Sequence, residues 1–104
     1  MKDPLHRVVE ADGMVIEYDV PIPMDDGVVL RADVYRPNRE GRYPVLLTHG
    51  PYGKNLPFQI GYRHQWRIMV RNFPEVAEGS TCRYQNWEVP DPEKWVPDGY
   101  VCVR

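Results

Sequence analysis

The sequence predicts an α/β protein in which an antiparallel hairpin leads into the first parallel strands of a larger sheet. Two stretches of alternating apolar and polar residues flank the turn Asp25-Asp26-Gly27. A continuous apolar run, Val45-Leu46-Leu47, then breaks the alternation, and a second run, Val101-Cys102-Val103, closes the sequence after a helical segment. Alternation marks half-buried antiparallel strands, whereas short continuous apolar runs suit strands covered on both faces.

Residues 1–13 are polar and carry Pro4 and Gly13, which predicts a frayed arm or an irregular first strand. In the next stretch Ile16-Glu17-Tyr18-Asp19-Val20 alternates, and Pro21 and Pro23 follow it. Proline cannot donate to a ladder, so that end of the strand is expected on an edge. Gly27 supplies the left-handed residue of the turn. Val28–Tyr35 returns as the second strand, leaving one wet face on the hairpin, and Arg36–Arg42 reads as an exposed loop.

After the apolar run Tyr43–Thr48 comes His49-Gly50-Pro51-Tyr52-Gly53-Lys54, dense in turn residues. The backbone is expected to turn sharply there. Between Gly61 and Phe73, Tyr62, Trp66, Met69, Val70 and Phe73 fall at helical spacing, with Arg63, Arg67 and Arg71 on another side. This is an amphipathic helix that Pro74 stops. Residues 75–90 read as irregular. Asp91-Pro92-Glu93 offers an N-cap, a proline at the first helical position and an acid in the first turn, and Gly99 suits the C-cap. The last three elements form a βαβ unit, and such a sheet needs more helices than this sequence provides. Residues 1–104 are therefore expected to be the amino-terminal part of a single, larger α/β domain.

Composition narrows the function. At 42% hydrophobic and 27% charged, the 104 residues suit one small soluble domain. Gly 8 and Pro 11 favour turns and strands over helix. Lys+Arg 13 against Asp+Glu 15 leaves a net charge of −2, which offers nothing to phosphate backbones or anionic lipid, so neither a nucleic-acid nor a membrane partner is expected. No run approaches the ~18 apolar residues of a spanning helix. The start, Met1-Lys2-Asp3-Pro4, lacks an apolar signal core, and a cytoplasmic location is expected. Cys82 and Cys102 are expected as reduced thiols. His6, His49 and His64 are scattered, with no ligand spacing, so no metal or cofactor is expected.

The motifs then become specific. Val20–Pro37, Tyr43–Leu47, Gly50-Pro51-Tyr52-Gly53-Lys54 and Asp98-Gly99-Tyr100-Val101-Cys102-Val103-Arg104, in that order, resemble the start of a CocE/NonD-type hydrolase. This is the cocaine esterase and X-prolyl dipeptidyl-peptidase group of α/β-hydrolases. The resemblance covers about residues 15–54 and 91–104; the stretch from Leu56 to Pro90 does not match closely. It implies serine acyl transfer on a small-molecule ester or amide by a Ser-His-Asp triad, without a cofactor. It further implies that Tyr52 gives its hydroxyl to the oxyanion hole, beside a backbone N–H that follows a downstream nucleophile. No Gly-x-Ser-x-Gly elbow occurs in these residues; Gly79-Ser80 lacks the second glycine and a preceding strand. The family's Asp-x-Arg-Gly segment would follow Arg104. By itself the chain is expected to be inactive.

His49-Gly50 is similar to the His-Gly oxyanion motif of esterases, but a loop histidine bonded to backbone is the expected role of His49. Lys54 is expected as a solvated or salt-bridged cation, Asp25 and Asp26 as turn residues, and Trp66, Trp87 and Trp95 as packing. Two other functions compete with the hydrolase: a non-enzymatic, β-rich interaction module, and a fragment of a prolyl-oligopeptidase-like peptidase.

Overall fold

The computed structural model describes residues 3–104; Met1 and Lys2, part of the expected arm, lie outside them. Five strands, β1 (Arg7–Ala11), β2 (Met14–Pro23), β3 (Val29–Pro37), β4 (Val45–Leu47) and β5 (Val101–Val103), form one sheet in the order β1-β2-β3-β5-β4. β1, β2 and β3 pair antiparallel, β3 pairs antiparallel with β5, and β4 pairs parallel with β5. The amino-terminal segment is thus a regular strand rather than an irregular arm. Asp12 (φ 52°) and Gly13 (φ 76°) supply the two left-handed residues of a tight hairpin turn.

The second hairpin closes as its turn chemistry dictates. Gly27 has φ 89°, the Gly27 N–H reaches Met24 O, and Asp26 Oδ1 accepts the Val28 N–H at 3.0 Å. β2 lies inside the sheet, yet its prolines are still at a local edge. The pairing of β1 ends at Tyr18, and the Met24 N–H, one step beyond Pro23, points to β3. Pro21 and Pro23 alternate with it, so their missing donors face the unpaired side.

The core follows from register. Val9, Ile16, Tyr35, Cys102 and Leu46, one residue per strand, form a single row across the sheet. Ile16, Tyr35 and Cys102 are buried, and Met14 and Val96 pack with them. The Tyr35 ring meets Tyr84 edge-on at 5.5 Å, and the Arg104 guanidinium lies 4.6 Å from its centroid. This face is covered by the segment between β4 and β5. The neighbouring row, Val8, Glu17, Val34, Val103 and Leu47, points the other way, and Leu47 is 71% exposed. β4 was expected to be buried on both faces; it is covered on one, where Val96 and Tyr84 pack in the same cluster as Leu46.

The helix expected between Gly61 and Phe73 is α2 (Arg63–Asn72); a separate short helix, α1 (Phe58–Gly61), precedes it, the two parted at Tyr62, whose φ of −135° and ψ of 55° leave the helical region. Trp66, Met69 and Val70 are half-buried as the spacing requires. Phe73 is 57% exposed, because the chain has already left the helix there. Residues 77–90 are irregular, as expected, and side-chain bonds hold them. Gln85 Nε2 donates to Val76 O (2.9 Å) and Asp91 Oδ2 (2.8 Å). α3 (Pro92–Trp95) starts as its sequence requires, with Asp91 accepting the Glu93 N–H at 3.1 Å. A 3₁₀ turn then leads to Gly99 at φ 90°.

Cys82 and Cys102 are free and buried. Burial pushes both thiols up, Cys102 to about 11. At pH 8 that leaves a thiolate fraction on the order of 10⁻³ at Cys102. A thiol reagent is therefore expected to modify neither cysteine in the folded protein and both after denaturation. Rapid stoichiometric modification of the native state would contradict this packing.

Candidate active site

β4 and β5 run parallel and end side by side, so the residues that follow them, Thr48 and Arg104, emerge at the same edge of the sheet. In open α/β sheets this carboxyl edge is where ligands bind. A cleft of about 210 Å³ opens there, walled by Thr48, His49, Gly50, Tyr52, Trp87 and Arg104.

Tyr52 is carried to the cleft by the loop after β4. Its ring rests against Tyr62 (6.5 Å between centroids, interplanar angle 86°) and Trp87 (6.4 Å, 37°). Trp87 is itself seated on Phe58 at 4.3 Å. These aromatic contacts orient the ring, while its hydroxyl makes no hydrogen bond among the described residues. Tyr52 is 36% exposed. Its O–H is thus a donor with free valence at the wall of a cleft, which is what a developing negative charge requires.

The loop is fastened on both sides. The Asn86 Nδ2 donates to Gly53 O at 2.8 Å. On the sheet side Lys54 Nζ donates to Asp19 Oδ1 at 2.5 Å and to Asp33 Oδ1 at 2.9 Å. Lys54 is therefore salt-bridged, one of its two expected roles, but its partners are a fully buried carboxylate and a strained residue. Asp33 has no exposed surface, and Asp19 sits at φ 56° in a bulge of β2. Burial pulls the Lys54 pKa down, and the bonds to Asp19 and Asp33 outweigh it, so the pKa ends above the usual lysine value. The stabilisation is therefore full at neutral and mildly alkaline pH, below the unfolded value. It is lost only as the pH rises through the raised folded one.

The other candidates sort plainly. His49 is exposed at the cleft and, against expectation, makes no backbone bond among the described residues. Ser80 Oγ donates to Asp91 Oδ2 at 2.6 Å and accepts the Cys82 N–H at 3.0 Å. It caps a turn, and no histidine among the described residues bonds to it. Trp66 and Trp87 pack on Phe58, as expected, and Trp87 also faces the cleft. Among the described residues no three His, Cys, Asp or Glu side chains gather into a metal cluster. No helix among them is long and apolar enough to cross a membrane. Sequence reasoning missed the Asp19–Asp33–Lys54 network and the Asn86 tie.

Comparison with known proteins identifies the family. The X-Pro dipeptidyl-peptidase (S15) family matches residues 26–104. The cocaine esterase of Rhodococcus sp. (strain MB1 Bresler) is 53% identical over 36 residues, which are 35% of this chain and 6% of the esterase. Two crystal structures of a CocE/NonD family hydrolase from Staphylococcus aureus superpose with a TM-score of 0.62 each. One has 32% identity over 86% of this chain and 14% of its own. The other has 33% identity over 94% of this chain and 17% of its own. The chain thus spans less than a fifth of the length of these relatives. With three quarters of its residues under the family match, the chain belongs to the X-Pro dipeptidyl-peptidase (S15) family, as an amino-terminal portion of the CocE/NonD type.

Proposed function

We propose that the chain is the oxyanion side of a serine hydrolase that cleaves ester or amide bonds, with Tyr52 as an oxyanion donor. Residues 1–104 are in this reading one part of a single catalytic domain, and the Ser-His-Asp triad comes from outside them. The observation that carries the proposal is Tyr52 on a fastened loop, lining a cleft beyond the carboxyl ends of β4 and β5, with a hydroxyl that bonds to none of the described residues. Attack of the nucleophile on an acyl carbon moves negative charge onto the carbonyl oxygen. A donor already fixed in place stabilises that charge without reorganising. Family membership supports an acyl substrate, an ester as for the esterase relative or an amide after proline as the family's description says.

A serine-directed fluorophosphonate probe tests the reading. The full-length protein is expected to take one equivalent at a serine outside residues 1–104 and to lose ester or X-Pro amide hydrolysis in step. The isolated chain is expected to stay unlabelled, since Ser80 is bound to the Asp91 carboxylate and to no histidine among the described residues. Stoichiometric labelling of Ser80, or a full-length protein without hydrolytic activity, would sink the proposal; the second result would favour an interaction module.

A further inference from the structure

Asp33 is the most deeply buried charged residue of the described chain, and all of its acceptors are used. Oδ1 receives the Asp19 N–H at 3.0 Å and Lys54 Nζ at 2.9 Å. With the Asn55 amide turned to the orientation that its neighbours' donors and acceptors require, its Nδ2 donates to Asp33 Oδ2 at 2.6 Å and its oxygen accepts from Lys54 Nζ at 3.2 Å. Its main chain exchanges bonds of 2.8 and 3.0 Å with Arg104, at the end of β5. One residue of β3 therefore ties together the β2 bulge, the end of β5 and the loop after β4.

Such an arrangement is not explained by stability. A buried ion pair is often no better than well-packed apolar residues in its place, because desolvation offsets the attraction. What it supplies is a single allowed geometry: Lys54 can satisfy both carboxylates, and Asn55 the remaining oxygen, only with the loop in one position. Tyr52 lies two residues before Lys54, and nothing holds its hydroxyl directly. Its place is set by the ring contacts with Tyr62 and Trp87 and by where the backbone is pinned.

We propose that Lys54 is a positioning residue, whose ammonium, locked between Asp33 and Asp19, sets the loop so that the Tyr52 hydroxyl meets the oxyanion. This rests on the reading of Tyr52 as an oxyanion donor. Misplacing a catalytic group by about 1 Å can cost on the order of 10²-fold in rate. Releasing the tether should therefore appear in turnover, not in substrate binding.

The test is a double-mutant cycle in the full-length enzyme, using Lys54→Met, Tyr52→Phe and the pair together. Lys54→Met is expected to lower kcat by roughly 10- to 100-fold with KM within about twofold. In the Tyr52→Phe background the same change is expected to cost less than about threefold, because the group it positions is already gone. Lys54→Met leaves Asp33 buried without its cation and can fail to fold, so Lys54→Met/Asp33→Asn, which removes the buried charge and restores the net charge of the cluster, runs beside it. That pair is expected to keep the loss of kcat while recovering melting temperature. Equal losses in both backgrounds would make Lys54 merely structural, and wild-type turnover of Lys54→Met/Asp33→Asn would remove the tether from the mechanism. Either result overturns the proposal. If Tyr52→Phe alone turns over normally, the oxyanion reading fails instead, which this cycle reads separately.

Discussion

Tyr52→Phe in the full-length enzyme is expected to lower kcat by roughly 10²–10³, on the order of 3–4 kcal/mol, with KM within about twofold. The expectation follows from when the interaction forms. The ground-state carbonyl is a weak acceptor, while the tetrahedral intermediate carries a full negative charge, so an O–H held in place stabilises the second far more than the first. A group that acts only there shows in kcat. The substitution is also clean. The ring keeps its contacts with Tyr62 and Trp87, and the hydroxyl it removes bonds to none of the described residues. Folding stability should therefore move by no more than about 0.5 kcal/mol. A tyrosine that only packs predicts near-normal turnover. Steady-state kinetics decide: turnover within about a factor of two of wild type would take Tyr52 out of the catalytic machinery.

What the sequence revealed is what local chemistry controls. The Asp25-Asp26-Gly27 turn and the Asp91-Pro92-Glu93 cap depend on neighbours a few residues apart, and both formed as their composition requires. The Asp12-Gly13 turn was equally local, and its Asp-Gly pair was the signal for the first hairpin; the polar residues before it masked the strand. Long-range pairing was not legible. In β3, Leu30, Ala32 and Val34 look like the inward set, and Arg31, Asp33 and Tyr35 like the wet one. The structure does not follow this alternation: Asp33 and Tyr35 are buried together with Ala32, and Leu30 is 40% exposed. Nothing within the strand announces that Lys54, 21 residues later, will neutralise Asp33. For Tyr52 the sequence showed an apolar strand followed by a tight loop, but the hydroxyl's role came from family resemblance. The cleft that makes it plausible needed β4 and β5 to end together.

Residues 1–104 in isolation are expected to self-associate at micromolar concentration and to lack a sharp cooperative melt. The sheet is covered on the face of Ile16, Tyr35 and Cys102 only. On the other face, Glu17 with its partners Arg36 and His6 keeps the β1–β3 side polar, whereas the β4–β5 side presents Val34, Val45, Leu47, Val101 and Val103. Val45 is 57% and Leu47 71% exposed, and β4 pairs with β5 alone, leaving its outer backbone groups open to another strand. Covering a valine or leucine side chain is worth roughly 1.5–3 kcal/mol. Val45 and Leu47 at the middle of that range, with smaller additions from the half-buried Val34, Val101 and Val103, reach the lower end of the ~4–15 kcal/mol that association costs. Sedimentation velocity across a concentration series is the measurement, read beside a thermal melt. Val45→Lys and Leu47→Lys together put charge on both the face and the edge strand, and should shift the chain toward monomer without touching the covered row. A monodisperse wild-type monomer at about 100 µM with a two-state melt would show that this face needs no cover, and the case for further strands and helices packing there would fall with it.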